Sequence, residues 1–221
     1  MNDNIGNRFF IHSKELDKKI KLLGLDFNSE LFLGLRISTS IILFILLFVF
    51  IKYGYIVAPI VTIIYYLLFE YLILDLNIKR RKRLLESDAI AYFRVFLIAS
   101  KNNKNNKLNI KHTNTSLPSN RLSYELSKVV RDTDLGIDFV KSINEVEKMI
   151  PSNSINNILT MIASASKYGN KLSESINKEL DYLTEKYNHE VINRYKSIPF
   201  KYIIACLLFV MLFIIMLLII K

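Results

Sequence analysis

Hydrophobic and polar positions divide this chain into three long apolar stretches and one long segment of mixed pattern. Residues 202–220 carry no charged side chain over 19 residues, and residues 37–51 and 55–74 are almost as apolar. A helix needs about 20 residues to cross a hydrocarbon core of about 30 Å. The two earlier stretches are separated only by "KYG", whose glycine suits a tight turn. The pattern therefore predicts a transmembrane hairpin with a short first arm, followed much later by a third transmembrane helix.

Between the hairpin and the last stretch, apolar residues recur every three or four positions, as on one face of an amphipathic helix. No strand-like alternation of useful length occurs in this part of the sequence, and glycine is rare. Pro151 and Pro199 are expected to end two of the helices, because the residue before a proline disfavours helix. The predicted helices cover residues 84–99, 120–132, 138–150, 153–168 and 171–197. We therefore expect an all-α membrane protein with three transmembrane helices and an antiparallel helical bundle.

The same spacing predicts which side chains form the core of the bundle, since residues three and four apart share one helix face. The predicted core residues are Leu85, Ala89, Phe93, Phe96, Leu97, Leu122, Leu126, Val129, Val130, Phe139, Val140, Ile143, Val146, Ile150, Ile155, Ile158, Leu159, Ile162, Leu172, Ile176, Leu180, Leu183, Tyr187, Val191 and Tyr195.

Residues 100–119, "SKNNKNNKLNIKHTNTSLPS", interrupt this pattern. Asn and Lys dominate the segment, and it has few apolar residues with which to bury surface. Such a composition is typical of a long mobile loop or a frayed helix. Its positive charge could contact lipid headgroups or an acidic partner, but a solvated loop is the simpler interpretation.

A shift of 33 residues brings one part of the bundle sequence over another. Residues 126–144, "LSKVVRDTDLGIDFVKSIN", then lie over residues 159–177, "LTMIASASKYGNKLSESIN", so that Gly136 meets Gly169 and the triplet "SIN" recurs. A glycine just past the end of a helix suits the left-handed C-cap conformation. The next helix can then begin with Asp138 in the first copy, or Asn170 in the second, as its N-cap. The repeat predicts two glycine-turned helical hairpins in tandem.

The distribution of basic residues predicts an orientation. Residues 1–36 hold 6 Lys and Arg and residues 76–201 hold 22, whereas the hairpin tip and the C-terminus hold one each. Basic residues concentrate on the cytoplasmic side of a membrane. We therefore expect a membrane protein whose N-terminus and bundle are cytoplasmic and whose C-terminus is outside. No ordered signal-peptide pattern is seen in the first 36 residues.

These boundaries divide the chain into four predicted parts. They are a cytoplasmic N-terminal segment with a short amphipathic helix (1–36), a transmembrane hairpin (37–75), a cytoplasmic helical bundle (76–198) and a C-terminal transmembrane helix (199–221).

Two charged features at the inner end of the hairpin are candidate contact sites. The run "KRRKR" directly follows the second apolar stretch, and we interpret it as a topology signal attracted to anionic lipid. Nucleic-acid binding is the weaker interpretation, because no aromatic residue interrupts the run. Glu70, near the inner end of the second apolar stretch, either reaches the membrane surface by snorkelling or makes a polar contact with a partner helix. The run consists of Lys79, Arg80, Arg81, Lys82 and Arg83.

The sequence offers little for catalysis or cofactor binding. Cys206 is the one cysteine, and His12, His112 and His189 are scattered, so neither a disulfide framework nor a zinc site is expected. No G-x-x-x-x-G-K-[ST] phosphate-binding loop occurs. We therefore expect a protein that is not an enzyme, that needs no cofactor, and that depends on a partner for any energy.

This arrangement resembles the F-domain family of type II secretion and type IV pilus systems, and above all the platform proteins of tight-adherence (Tad/Flp) pili. The family's motif of helix, small residues, glycine, two residues, leucine, three residues and an apolar residue corresponds here to "ASKYGNKLSESI". The segments "ELSKVVRDTDLGIDFVKSI" and "KLLGLDFNSELFLGLR" are similar to the family's preceding helical turn and to its stretch before the first span. The chain departs from the family at residues 100–119, where a first glycine-turned hairpin would stand.

The resemblance implies a non-enzymatic platform in the cytoplasmic membrane beneath a pilus base. Such a platform contacts a hexameric secretion ATPase through its bundle and couples ATP-driven motion to the extraction of pilin from the bilayer. It works with a sister platform subunit and as an oligomer. The composition is equally consistent with a membrane-anchored helical scaffold or signalling subunit that has no motor partner.

Overall fold

The computed structural model describes residues 3–25, 28–50, 54–102, 105–164 and 172–220, and this part of the chain consists of helices joined by turns, without a strand. The predicted all-α class is therefore confirmed for these residues. The helices are α1 (Asp3–Leu22), α2 (Ser29–Phe50), α3 (Gly54–Glu70), α4 (Leu76–Asn102), α5 (Asn106–Ser116), α6 (Arg121–Asp134), α7 (Phe139–Glu147), α8 (Asn153–Ala163) and α9 (Leu172–Ile220).

Helices α2 and α3 pack side by side as the predicted hairpin. Two helical stretches, Ser29–Val49 and Tyr55–Lys101, are long and apolar enough to span a membrane by length and composition. Only 17% and 11% of their most apolar windows are buried, so these apolar surfaces face outward rather than into a protein core. The first arm is longer than predicted: α2 has 22 residues, about 33 Å, because it extends back to Ser29.

The third predicted transmembrane helix, residues 202–220, forms the end of α9. Most of its side chains lie outside the described part of the structure, so its place in a membrane stays a prediction. The predicted helix end at 197 is wrong, because α9 continues through Pro199. A proline removes one backbone N–H and biases the preceding residue against helix, but a helix can continue across it.

Six of the described helices, α4 to α9, form the bundle. Each packs on the next one along the chain, α4 also contacts α6, and α9 returns to pack on α4. The described connections from α5 to α6, from α6 to α7 and from α7 to α8 are short, as is typical of antiparallel neighbours. Helix α4 follows α3 through a π-helical turn, Tyr71–Asp75, without a break. The two helices that close the bundle, α4 and α9, are thus the two that continue into long apolar segments.

The buried core of the bundle contains most of the predicted residues, including all those predicted in α4 and α8. Two predictions are wrong: Val140 is 41% exposed and Tyr195 is 71% exposed. Val140 lies beside the single buried stripe of the nine-residue α7, and Tyr195 lies near the apolar end of α9. Tyr92, which the spacing did not select, is fully buried.

The predicted solvated loop at 100–119 is wrong over most of its length, because residues 106–116 form helix α5. Asn105 caps this helix by accepting hydrogen bonds from the backbone N–H groups of Lys107 and Leu108. The helix buries Ile110 in the core of the bundle. The buried hydroxyl of Tyr92 donates to Oδ1 of Asn114 at 2.8 Å, and burial raises the pKa of Tyr92.

The turn between α6 and α7 has the geometry that the repeat predicts for Gly136, whose φ is +88°. Its N–H donates to the carbonyl of Thr133, and the N–H of Ile137 donates to that of Asp132. Asp138 caps α7 by accepting from the N–H of Lys141. The corresponding turn of the second copy, with Gly169, lies outside the described residues.

A second, smaller core lies where α1 meets the hairpin. The N-terminal helix is longer than the short amphipathic helix predicted for it, with 20 residues. It packs on α2 and on the π-helical turn. The buried residues of this second core are Leu16, Ile20, Phe32, Phe69 and Leu74.

Candidate functional site

Glu70 and its neighbours form an ion-pair cluster at the base of the hairpin. Nζ of Lys19, in α1, lies 2.7 Å from Oε1 of Glu70 and 3.0 Å from Oδ1 of Asp75. Burial lowers the pKa of Lys19, but hydrogen bonds to the two carboxylates outweigh that effect and raise the pKa overall. Glu70 therefore makes a polar contact with a helix of its own chain, and this contact fixes α1 against the end of the hairpin.

Arg36 is a functional candidate that the sequence analysis missed. It is 8% exposed, its Nε donates to the carbonyl of Tyr66 at 2.9 Å, and its guanidinium lies 3.8 Å from the centre of the Tyr66 ring. Arg36 is the last residue of the predicted N-terminal segment. The apolar stretch after it is shorter than a transmembrane helix, which was the one signal that the helix begins before Arg36.

The π-helical turn Tyr71–Asp75 joins the hairpin to the bundle. The N–H of Leu76 donates to the carbonyl of Tyr71, five residues back. An inserted residue of this kind bends a helix and rotates the next part of it about the axis. Here the turn buries Leu74 in the smaller core and holds Asp75 against Lys19. Nothing in the local sequence pattern distinguishes this turn from the helices on either side.

The basic run after this turn does not act as one unit, because its members point to different surroundings. Lys79 is exposed, with Nζ 5.5 Å from the centre of the Tyr71 ring. Arg80 is exposed and has no ion-pair partner among the described residues. Arg83 donates to the carbonyl of Lys79 at 3.2 Å.

Arg81 connects three parts of the fold. Its guanidinium donates to the carbonyl of Leu22 at the end of α1, to the carbonyl of Met149 after α7, at 3.2 Å, and to the carboxylate of Glu125 in α6. The side chains of Arg81 and Glu125 are 18% and 17% exposed, so solvent screens this pair only partly. Arg81 is therefore a structural clamp rather than part of a diffuse basic surface.

Glu86 connects α4 with α9 and with the residues before α8, and the sequence pattern did not predict this role. Its side chain is 1% exposed and its Oε1 accepts a hydrogen bond from the hydroxyl of Ser152 at 2.7 Å. Nζ of Lys82 lies 4.0 Å away, and Nζ of Lys186 in α9 lies 3.6 Å away. A buried carboxylate needs such compensation. The contact with Lys186 ties together α4 and α9, the two helices that lead toward the apolar segments.

Grooves flank the start of α4. The larger has a volume of about 570 Å³, lies between the end of α1, α4 and the turn into α6, and has Arg80, Arg81 and Arg121 in its wall. A smaller one, of about 290 Å³, separates α4 from α9 and includes Arg83 and Arg194. The end of the bundle next to the hairpin thus combines inter-helix clamps with positively charged grooves.

Of the two predicted turn glycines, Gly136 does not belong to this region, and Gly169 lies outside the described residues. Gly136 lies in the turn between α6 and α7, and a Cβ added there would meet no atom within 4 Å. Its requirement for glycine comes from the backbone conformation alone. The described residues contain no group of three or more His, Cys, Asp or Glu side chains that could hold a metal ion.

No protein-family model, no curated protein and no solved structure matches this chain.

Proposed function

We propose that this protein is an inner-membrane platform protein of a type IV pilus or type II secretion-like machine. In this role the cytoplasmic bundle contacts a hexameric secretion ATPase, and the membrane segments act on pilin. The protein supplies no chemistry of its own. It transmits motion from the motor to the bilayer, together with a sister platform subunit and as an oligomer.

The observation that carries the proposal is the continuity of α4 and α9 with the apolar segments. Helix α4 continues from α3 through the π-helical turn, and α9 runs for 49 residues through Pro199. The two helices pack on each other, with Lys186 of α9 at 3.6 Å from the buried Glu86 of α4. A push on the far end of the bundle would therefore reach both membrane segments through stiff helices rather than through flexible linkers.

The far end of the bundle has a surface that suits a protein contact. Leu135 is 75% exposed, and Ile137 and Val140 are 42% and 41% exposed around the turn between α6 and α7. Arg131 and Lys141 flank this turn and are also exposed. We propose that this turn faces the ATPase and that the predicted orientation, with a cytoplasmic bundle and an external C-terminus, holds.

Site-specific photocrosslinking in native membranes tests the proposal. A crosslinker would replace Leu135 at the far turn or Leu67 of α3, which is 66% exposed. We expect Leu135 to capture a hexameric secretion ATPase and Leu67 to capture a pilin-like protein, so that each position is the control for the other. Capture of neither, from cells that make both proteins, would favour the scaffold or signalling alternative.

A further inference from the structure

We propose that the larger groove at the start of α4 binds the phosphate-bearing headgroup of an anionic phospholipid. The groove has a volume of about 570 Å³ and opens between the end of α1, the start of α4 and the turn that leads into α6. Arg80 and Arg121 give it positive charge, while Leu23, Leu84 and Tyr124 give it apolar surface.

The groove begins at the depth of lipid headgroups if the hairpin lies in a bilayer. Leu76, which is 41% exposed, is the last residue of the run of exposed apolar positions that starts in α3. Arg80 follows four residues later, about 6 Å further along the helix axis. The headgroup layer on each side of the hydrocarbon core is about 5–7 Å thick.

The positive charge of the groove is only partly neutralised by the protein. Arg80 is exposed and has no ion-pair partner in the part of the chain that the structure describes. Arg121 contacts Asp88 at 3.2 Å, yet 56% of its side chain is exposed. Arg81 is held by Glu125 and by two backbone carbonyls, so it contributes to the wall rather than to binding. The Arg80 guanidinium is therefore available to a phosphate, and the exposed Arg121 guanidinium has further donors beyond the one that contacts Asp88. Guanidinium groups match a phosphate by paired hydrogen bonds.

The apolar part of the groove favours a lipid over a soluble phosphate. Tyr124 is 79% exposed and Leu84 is 37% exposed, although both lie in the wall of a charged groove. A tyrosine with an exposed ring is typical of the membrane–water interface, where the ring contacts acyl chains and the hydroxyl contacts water. A free anion would gain nothing from these two side chains. The proposal rests on insertion of the hairpin in the bilayer and is independent of the pilus role.

Native mass spectrometry of the full-length protein in detergent, titrated with phosphatidylglycerol or phosphatidylcholine, tests the proposal. We expect tighter binding of phosphatidylglycerol, weakened about fivefold by R80Q and by R121Q, the change expected for one basic residue near an anionic surface. K79Q is the matched control, because Lys79 lies at the same depth and carries the same charge but is not part of this groove. R94Q controls for net charge farther along α4, where Arg94 is also exposed. Both controls should change the affinity less than twofold.

Three results of this titration would overturn the proposal. An equal loss in K79Q and R80Q would mean that the basic run attracts lipid as a diffuse charge. Equal affinity for phosphatidylcholine would remove the role of the anionic headgroup. Equal affinity for glycerol phosphate would mean that a soluble phosphate is the ligand. Carbonate extraction of cell membranes checks the premise separately, and release of the protein as a soluble species would also overturn the proposal.

Discussion

Arg81 is the charged side chain at which we expect a substitution to be most costly, because its guanidinium joins the end of α1, Glu125 of α6 and the turn after α7. In R81Q the Glu125 carboxylate, 17% exposed, loses its cation, and two carbonyls lose a donor. We expect a loss of about 2 kcal/mol, typical of hydrogen bonds to charged groups, and a fall in the thermal midpoint of roughly 4–8 °C. Circular dichroism of the full-length protein in detergent, followed during heating, measures the thermal midpoint.

The neighbouring variant R80Q has the same change in charge but removes an exposed side chain, so it should leave the midpoint nearly unchanged. The double variant R81M/E125M should be more stable than R81Q, since it leaves no unpaired carboxylate behind. Equal midpoints for R80Q and R81Q would contradict the clamp.

Two glutamates of α7 should give stability opposite dependences on pH. Burial raises the pKa of Glu147 above its ordinary 4.5, more than its hydrogen bond with Thr160 lowers it. The folded state then holds its proton more strongly than the unfolded state, so stability falls as pH rises above 4.5 through the folded-state pKa. The hydrogen bond from Lys148 lowers the pKa of Glu145. The stabilisation that ionised Glu145 gives the folded state is therefore fully present above pH 4.5 and is lost as the pH falls through the folded-state pKa.

We therefore expect E147Q to raise the thermal midpoint at pH 7 and to leave it nearly unchanged at pH 4. The amide of the new side chain would keep an oxygen that accepts from the hydroxyl of Thr160. E145Q is the matched control, two residues away, and should lower the midpoint slightly at pH 7 only. If both variants shifted the midpoint in the same direction at pH 7, the proposed burial effect at Glu147 would be wrong.

At the scale of helices, the spacing of apolar residues and the internal repeat predicted buried helix faces and one turn. Apolar spacing identified the buried faces of α4, α6 and α8, and the repeat identified the left-handed Gly136. Helix α5 was missed because its side of the core is made partly by polar groups: Asn109 and Thr113 are buried beside Ile110. The junctions at Arg81 and Glu86 were missed because each depends on residues distant in sequence, which no local pattern connects.

Ile110 provides a direct test of α5, since it is 1% exposed and belongs to the bundle core. Removing a buried side chain of this size costs about 2–5 kcal/mol, so I110A should lower the thermal midpoint by roughly 4–20 °C. Leu108 lies two residues away in the same helix but is 39% exposed, and L108A should have a much smaller effect. Equal, small effects of the two substitutions would restore the solvated-loop interpretation of residues 100–119.

At the scale of the whole molecule, two features bear on how force would travel. The ring of helices is closed by the pair α4 and α9, and the buried Glu86 draws Lys186 toward it across that contact. At the base of the hairpin, Lys19 fixes α1 to Glu70 and Asp75. The bundle is thus attached to its apolar segments through continuous helices, and α1 is attached to the base of the hairpin through ion pairs.

Rigid coupling makes a prediction for the platform role. A flexible Gly-Ser segment inserted after Ile198 would interrupt α9 just before Pro199, while the bundle core above it, ending at Leu183, would remain packed. We expect pilus assembly to be lost although the protein still reaches the membrane at normal levels. An alanine-rich insert of the same length at the same place is the control for length, because alanine favours helix and would keep α9 continuous. Electron microscopy of surface pili, with immunoblots of membrane fractions, measures both. If the insertion after Ile198 left assembly intact, force would have to pass through α4 alone or through neither helix, and the continuity of α9 would have no part in the mechanism.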